Sequence, residues 1–302
     1  MRKNSLSISS TDDRVIHCIA IAVASCVLII TLYPLLYVIS ASFSDPIRVA
    51  SGELILLPVG FSLEGYETIL DYEPIWIGYR NSIFYTCMGT AINLFFTIPC
   101  AYALSRREML GRNIIMFLFT FTMFFNGGMI PTYLMMKQIG LLNTIWAMLF
   151  PGAVSVMNLI ITRTYFQSTI PKELQEAALI DGCSNTRLFI KIILPLSLPV
   201  IAVITLYYAV GHWNAFFNAL IYLSNAQLYP LQLYLRNILL EDMMLDLLGN
   251  DSEAMEALIR RMQLKETMKY GIVVISSLPV LALYPFLQKY FVKGVMVGAI
   301  KG

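Results

Sequence analysis

A chain of 302 residues that is 58% hydrophobic and only 13% charged, with a mean hydropathy of +0.69, carries too few charges to coat a soluble domain. Its apolar blocks run to about twenty residues and lack the ten-residue alternation of a membrane barrel, which leaves bilayer-spanning helices. The formal net charge is +2 and no nucleic-acid partner is expected.

In chain order, the first apolar block covers 15–42. Its run exceeds the apolar core of a signal peptide, and no small-x-small cleavage site follows, so it reads as a retained span. The loop after it, with "SGELILLPVGFSLEGYETILDYEPIW", predicts turns at Pro58, Gly60, Gly65 and Pro74 around one short helix near Leu63–Leu70. The second block is 81–104 and the third 113–136. Inside the third, "FNGGMIP" predicts a bend or an unwound turn at Asn126–Pro131. Backbone left unpaired at membrane depth must be buried in protein or line a cavity, so a kink and a pathway lining both stand open there.

The fourth block is 144–162, and a charged segment, 167–195, separates it from the fifth, 196–223. "GHWNAFFNAL" lies in the fifth block, with Asn214 and Asn218 one turn apart and Trp213 and Phe217 beside them. Amides and flat aromatic rings suit a sugar path, through hydrogen bonds and stacking on apolar sugar faces. The same groups also serve as glue between helices, and that simpler reading is favoured for His212, Asn214 and Asn218. After an outer loop whose 251–262 portion predicts an amphipathic helix, the sixth block is 271–288.

Six spans make an all-α integral membrane protein with both termini on one side. Arg2, Lys3 and Arg14 share that side with Arg106, Arg107, Arg112, Arg163, Lys172, Arg187, Lys191, Lys289, Lys293 and Lys301. The excess of basic residues there places the termini and the 167–195 segment in the cytoplasm. The five cysteines fall in spans or in that segment and predict no disulfide framework. The whole chain reads as a single membrane domain.

The 167–195 segment is legible in detail. Pro171 and acidic Glu173 suit a helix start; Leu174, Ala177, Ala178 and Asp181 follow at helical spacing, and Gly182 suits a left-handed stop. Ser184 predicts the cap of a second helix with Leu188, Phe189, Ile192 and Ile193 on one stripe, ended by Pro195. A helix–turn–helix of this kind either caps the bundle or docks a partner.

Those residues resemble the EAA loop of binding-protein-dependent ABC importer permeases. Glu176, Ala177 and Ala178 precede Gly182, with Asp181 before it, and Ile192, Leu194 and Pro195 fall at the family's spacing. "FNGGMIPTYL", "GHWNAFFNALIYL" and "QKYFVKGVMVGAIKG" are similar to the carbohydrate-uptake group, nearest the maltose-type second permease and the LplC/YtcP-like oligosaccharide permeases. The resemblance implies that Glu176, Ala177, Ala178, Asp181, Gly182, Ile192, Leu194 and Pro195 couple the chain to an ATPase. It also implies a second permease subunit, two copies of a cytoplasmic ATPase that bind ATP and Mg, an external solute-binding protein and an oligosaccharide substrate, all at the cell membrane. In the maltose-type family the deep sugar site lies mainly in the other permease subunit. Asn126, His212, Trp213, Asn214 and Asn218 remain candidates for the translocation path.

Two other functions fit less well. An ion-coupled secondary transporter needs ionisable groups in the membrane, and the six blocks hold no Asp, Glu, Lys or Arg, only His17 and His212. An enzyme needs a nucleophile or metal motif, and neither Gly-x-Ser-x-Gly nor His-Glu-x-x-His is present. No glycine-rich Walker loop appears, so this chain is expected to bind no cofactor itself.

Overall fold

The computed structural model describes residues 11–241 and 268–282, which form helices and a single isolated bridge, Ser44–Phe61, but no strand. The chain divides into two compact units, residues 1–71 with 241–275 and residues 72–240 with 276–302. The 251–262 helix expected from the sequence lies outside the described residues, as does the part of the last block beyond Ala282.

The first unit begins with α1 (Thr11–Ser42), whose most apolar window has a hydropathy of 2.7 and no buried residue. A stretch that is apolar all round and unburied along its length, as this window is, is matched to lipid. At its end the chain folds back tightly. Ser40 Oγ donates to Leu56 O at 2.6 Å, Val59 N to Ser44 Oγ at 3.0 Å, and Tyr66 Oη to Ser42 Oγ at 2.9 Å. Asp45 caps the short α2 (Pro46–Ala50), accepting from Ile47 N and Arg48 N, and Ala41, Val49 and Leu54 form a small core. Gly60 makes the expected turn with φ 62°. Gly65 does not: it lies inside α3 (Glu64–Asp71), because the acidic first turn of Glu64 and Glu67 favours helix there.

The second unit is organised on α4 (Glu73–Ser105), which starts eight residues before the apolar block. Pro74 opens this helix instead of making a turn, since a first-turn proline lacks only an N–H that would be unpaired anyway. Asn81, Tyr85, Gly89, Asn93, Thr97 and Ala101 recur every fourth residue and are all buried. That stripe packs on α8 (Val156–Thr169) and α11 (Leu198–Trp213).

The third, fourth and fifth apolar blocks are broken, not straight. α5 (Arg112–Phe124) and α6 (Met129–Gln138) meet at 112° across Phe125–Gly128. Block 144–162 consists of α7 (Trp146–Leu149), a non-helical stretch, and α8. After α9 (Lys172–Ile180), α10 (Asn185–Leu196) turns by 79° into α11, which stops at Trp213 before α12 (Phe217–Tyr222). The unit also carries a short turn at Ala226–Leu228 and α13 (Leu231–Glu241). The last described helix is α14 (Met268–Ala282). By length and composition the described residues offer two membrane-crossing helices, or four if each bent pair is one span. Breaks at glycine, proline and asparagine explain why unbroken hydropathy overstated straight spans.

Candidate functional site

The helix–turn–helix forms where the sequence puts it. Lys172 follows Pro171 at the start of α9, and the helix ends with Asp181 N bonded to Ala177 O at 3.0 Å and Cys183 N to Ala178 O at 2.9 Å. Gly182 takes φ 72°, and a Cβ added there would touch nothing within 4 Å. Its role is conformational only. Ser184 caps α10, its side chain accepting from Arg187 N at 3.4 Å.

The faces divide differently from the expected grouping. Leu174 and Ala178 pack inward, against a core that includes Leu188 and Ile193, both fully buried. Ala177 and Asp181 face out. Glu173, Glu176, Ala177 and Ile180 thus share an exposed face at i, i+3, i+4 and i+7, and Ile180 is 86% exposed. Glu176 has no hydrogen-bond or ionic partner among the described residues.

Pro195 does not end α10. A π-turn over Phe189–Ile193 carries the helix through it to Leu196, and Ser197 marks the break. The wider turn accommodates the proline ring and its missing N–H, which an ideal α-turn would not. Ile192 and Leu194 are half-buried beside this turn, packed on the core that holds Leu188 and Ile193.

Beside α9 lies a basic cavity of about 580 Å³ lined by Arg106, Arg107, Arg112, Arg163 and Glu176 among others. Arg106 ties the helix to the rest of the unit. Its guanidinium donates to Gln175 Oε1, lies 3.2 Å from Glu108, and sits 6.0 Å from the Tyr102 ring centroid. Arg163 Nε donates to Leu104 O at 3.0 Å, so the end of α4 is held from α8 as well.

The expected path residues separate into distinct roles. Asn126 Oδ1 accepts from Gly128 N at 2.8 Å, making the turn between α5 and α6, and Gly128 has φ 86°. The Trp213 indole donates to Ser276 O at 2.9 Å. His212 Nε2 meets Asn93 Oδ1 at 2.7 Å, and Asn93 Nδ2 donates to Ala153 O at 2.8 Å and Gly152 O at 3.2 Å. Asn93 therefore satisfies the unwound stretch between α7 and α8, while Tyr208 joins it by accepting from Ser155 N and meeting Thr97 Oγ1. Gly89 makes room for this network: any Cβ there would run into the His212 ring. Asn214 is exposed and Asn218 half-buried, and neither has a hydrogen-bond partner among the described residues.

Sequence reasoning missed Asn93, Thr97, Tyr208, Asn158 and Arg106. The signal was present for two of them, in the four-residue stripe along α4. Among the described residues, no group of three His, Cys, Asp or Glu side chains is placed to hold a metal.

Residues 74–297 match the family model described as binding-protein-dependent transport system inner membrane component. The chain is similar to Protein LplC of Bacillus subtilis (strain 168), 43% identical over 273 residues, 90% of each chain. It is similar also to the polygalacturonan/rhamnogalacturonan transport system permease protein YtcP of the same strain, 42% identical over 91% of this chain and 94% of that one. A crystal structure of a bacterial ABC transporter involved in the import of the acidic polysaccharide alginate contains a chain that matches with a TM-score of 0.84 at 36% identity. That match covers 94% of this chain and 99% of the other. With most of its length inside that family model and two relatives above 40% identity, the chain belongs to the binding-protein-dependent inner membrane transport components.

Proposed function

We infer that this chain is one permease half of an ATP-driven ABC importer for carbohydrate, with an oligosaccharide as cargo. Hydrolysis belongs to a separate ATPase subunit, and the working complex adds a second permease, two ATPase copies with their ATP and Mg, and an external binding protein. The chain crosses the membrane six times, with both termini and α9 in the cytoplasm. Four of these crossings correspond to helices or bent helix pairs among the described residues, the other two are read from the apolar composition of 144–162 and 271–288, and the distribution of Lys and Arg supports the orientation.

One observation carries the coupling role: the outward face of Glu173, Glu176, Ala177 and Ile180 on a helix whose other side is locked into a core. An isoleucine 86% exposed beside an unpaired carboxylate and a small alanine is a surface shaped for a partner. ATPase closure pushes this face, and Arg106 and the buried Leu188–Ile193 pair transmit the push to α4 and, through α10, to α11. Asp181 and Gly182 set the angle of the helix, and Ile192, Leu194 and Pro195 its anchorage.

The test is to purify the complex carrying Glu176→Lys. ATPase retention and binding-protein-stimulated hydrolysis should both fall by about tenfold, as expected when one charge of a docked pair is reversed. Unchanged retention and hydrolysis would reduce the segment to a cap on the bundle.

A further inference from the structure

We propose that the pocket where two broken helices meet is a sugar-hydroxyl subsite of this subunit, reading an uncharged part of the transported ring. The inference rests on the carbohydrate-importer reading above. The pocket, about 270 Å³, opens between α4, α8, α11 and α12, and its wall includes Asn93, Gly152, Asn158, Tyr207, His212 and Asn218. Asn93 stands twelve residues from the Ser105 end of α4, about 18 Å at 1.5 Å per residue, well inside the apolar block.

Three observations point to a ligand. Asn158 is only 7% exposed and lines the pocket, yet its side-chain amide has no partner among the described residues. Its amide atoms are not among the fully enclosed unpaired ones, so the little exposure Asn158 keeps leaves them free to hydrogen-bond within the pocket it lines. Half-buried Asn218 and Tyr207, 49% exposed, line the same space, and neither side chain has a hydrogen-bond partner among the described residues. The helices also break here, at 150–155 between α7 and α8 and at 214–216 between α11 and α12. Non-helical backbone at this depth is tolerated where it lines a polar cavity.

The donor set defines the class. Two carboxamides offer both donors and acceptors, a phenol adds one more of each, and among the described residues no Asp, Glu, Lys or Arg lines the pocket. Adjacent ring hydroxyls match that set. A carboxylate finds no cation, so an acidic residue of an oligosaccharide would carry its charge past this pocket without an ionic contact. The network of His212, Asn93 and Tyr208 is already satisfied and acts as the scaffold behind the binding groups.

The experiment uses the whole complex in proteoliposomes with a fixed panel: galactooligosaccharides, arabinooligosaccharides, oligogalacturonides and rhamnogalacturonan oligosaccharides. Uptake of each is compared for wild type, Asn158→Leu, Asn218→Ala and Tyr207→Phe, alongside subunit retention and binding-protein-stimulated hydrolysis. Loss of one ligand hydrogen bond should lower uptake about five- to tenfold for the best substrate and change its ratio to the others, with retention unaltered. Tyr207→Phe removes one oxygen from an exposed ring, so it carries the test even if Asn158→Leu fails to assemble. Equal losses across the panel, or no loss, would overturn the subsite and return these amides to packing against the partner permease. Failure of the wild-type complex to import any member with ATP would instead sink the carbohydrate reading beneath it.

Discussion

Single residues in this chain work by geometry or by chemistry, and the structure separates the two. Gly182 works by geometry. With φ 72° and open space around its missing Cβ, Gly182→Ala incurs only the left-handed backbone penalty, about 1–2 kcal/mol. That variant should keep its ATPase at slightly reduced occupancy, measured by co-purification, whereas Glu176→Lys should lose it. Gly89 works by close approach, since any side chain there collides with His212. Gly89→Ala should therefore lower the melting temperature of the purified complex more than Gly182→Ala does. Asn93→Leu fits the same logic: it leaves His212 and the carbonyls of Gly152 and Ala153 unpaired, at about 1–3 kcal/mol for an orphaned buried group. Asn143 combines both roles, with φ 57° and an Oδ1 that accepts from Ser224 N and Asn225 N.

At the scale of elements, the EAA segment was legible because every local signal agreed. Proline and acid opened α9, glycine closed it, serine capped α10, and the pattern of apolar residues found Leu188 and Ile193. The π-turn was not legible, because a proline stops an ideal helix and the wider turn that lets it pass depends on packing of Phe189 and Ile193 against α4. Nor were the breaks at 150–155 and 197, since apolar composition continues through them and only Pro151, Gly152 and Pro199 hint at a change. Element coupling can be tested at Arg106, whose contact with Gln175 joins α9 to α4. Arg106→Ala should leave the ATPase bound and hydrolysing while uptake per ATP falls several-fold, read by parallel phosphate release and sugar uptake. A proportional fall in both would assign Arg106 to docking instead of transmission. Leu188→Ala, which empties a fully buried position, should loosen α9 and α10 together by about 2–5 kcal/mol, seen as faster amide exchange across 172–194.

For the whole molecule, length and composition were enough to read a membrane protein, and the resemblance in 176–195 was enough to read its family. Composition could not say how the blocks are broken, because hydropathy measures the solvent a segment prefers and not whether its backbone stays helical. Hydrolysis by a separate ATPase subunit has a direct consequence for the isolated chain: reconstituted alone, it should accumulate no oligosaccharide, measured with the same vesicle assay and the panel above. Uptake by the single chain driven by a proton gradient would overturn the importer reading.

The lipid-matched character of α1 also sets how much information its sequence must carry. No residue of its most apolar window is buried, so between Val15 and Leu35 the chain answers to a requirement on average oiliness and not to the shape of any neighbour among its own described residues. Along α4, by contrast, each fourth position is answerable to a particular contact. Shuffling the order of residues 15–35 while keeping their composition should then leave insertion and uptake near the original level, whereas exchanging Gly89 with Asn93 should abolish both assembly and transport. Drift among related chains should follow the same division, fast and nearly unordered in the first helix and slow along the stripe from Asn81 to Ala101.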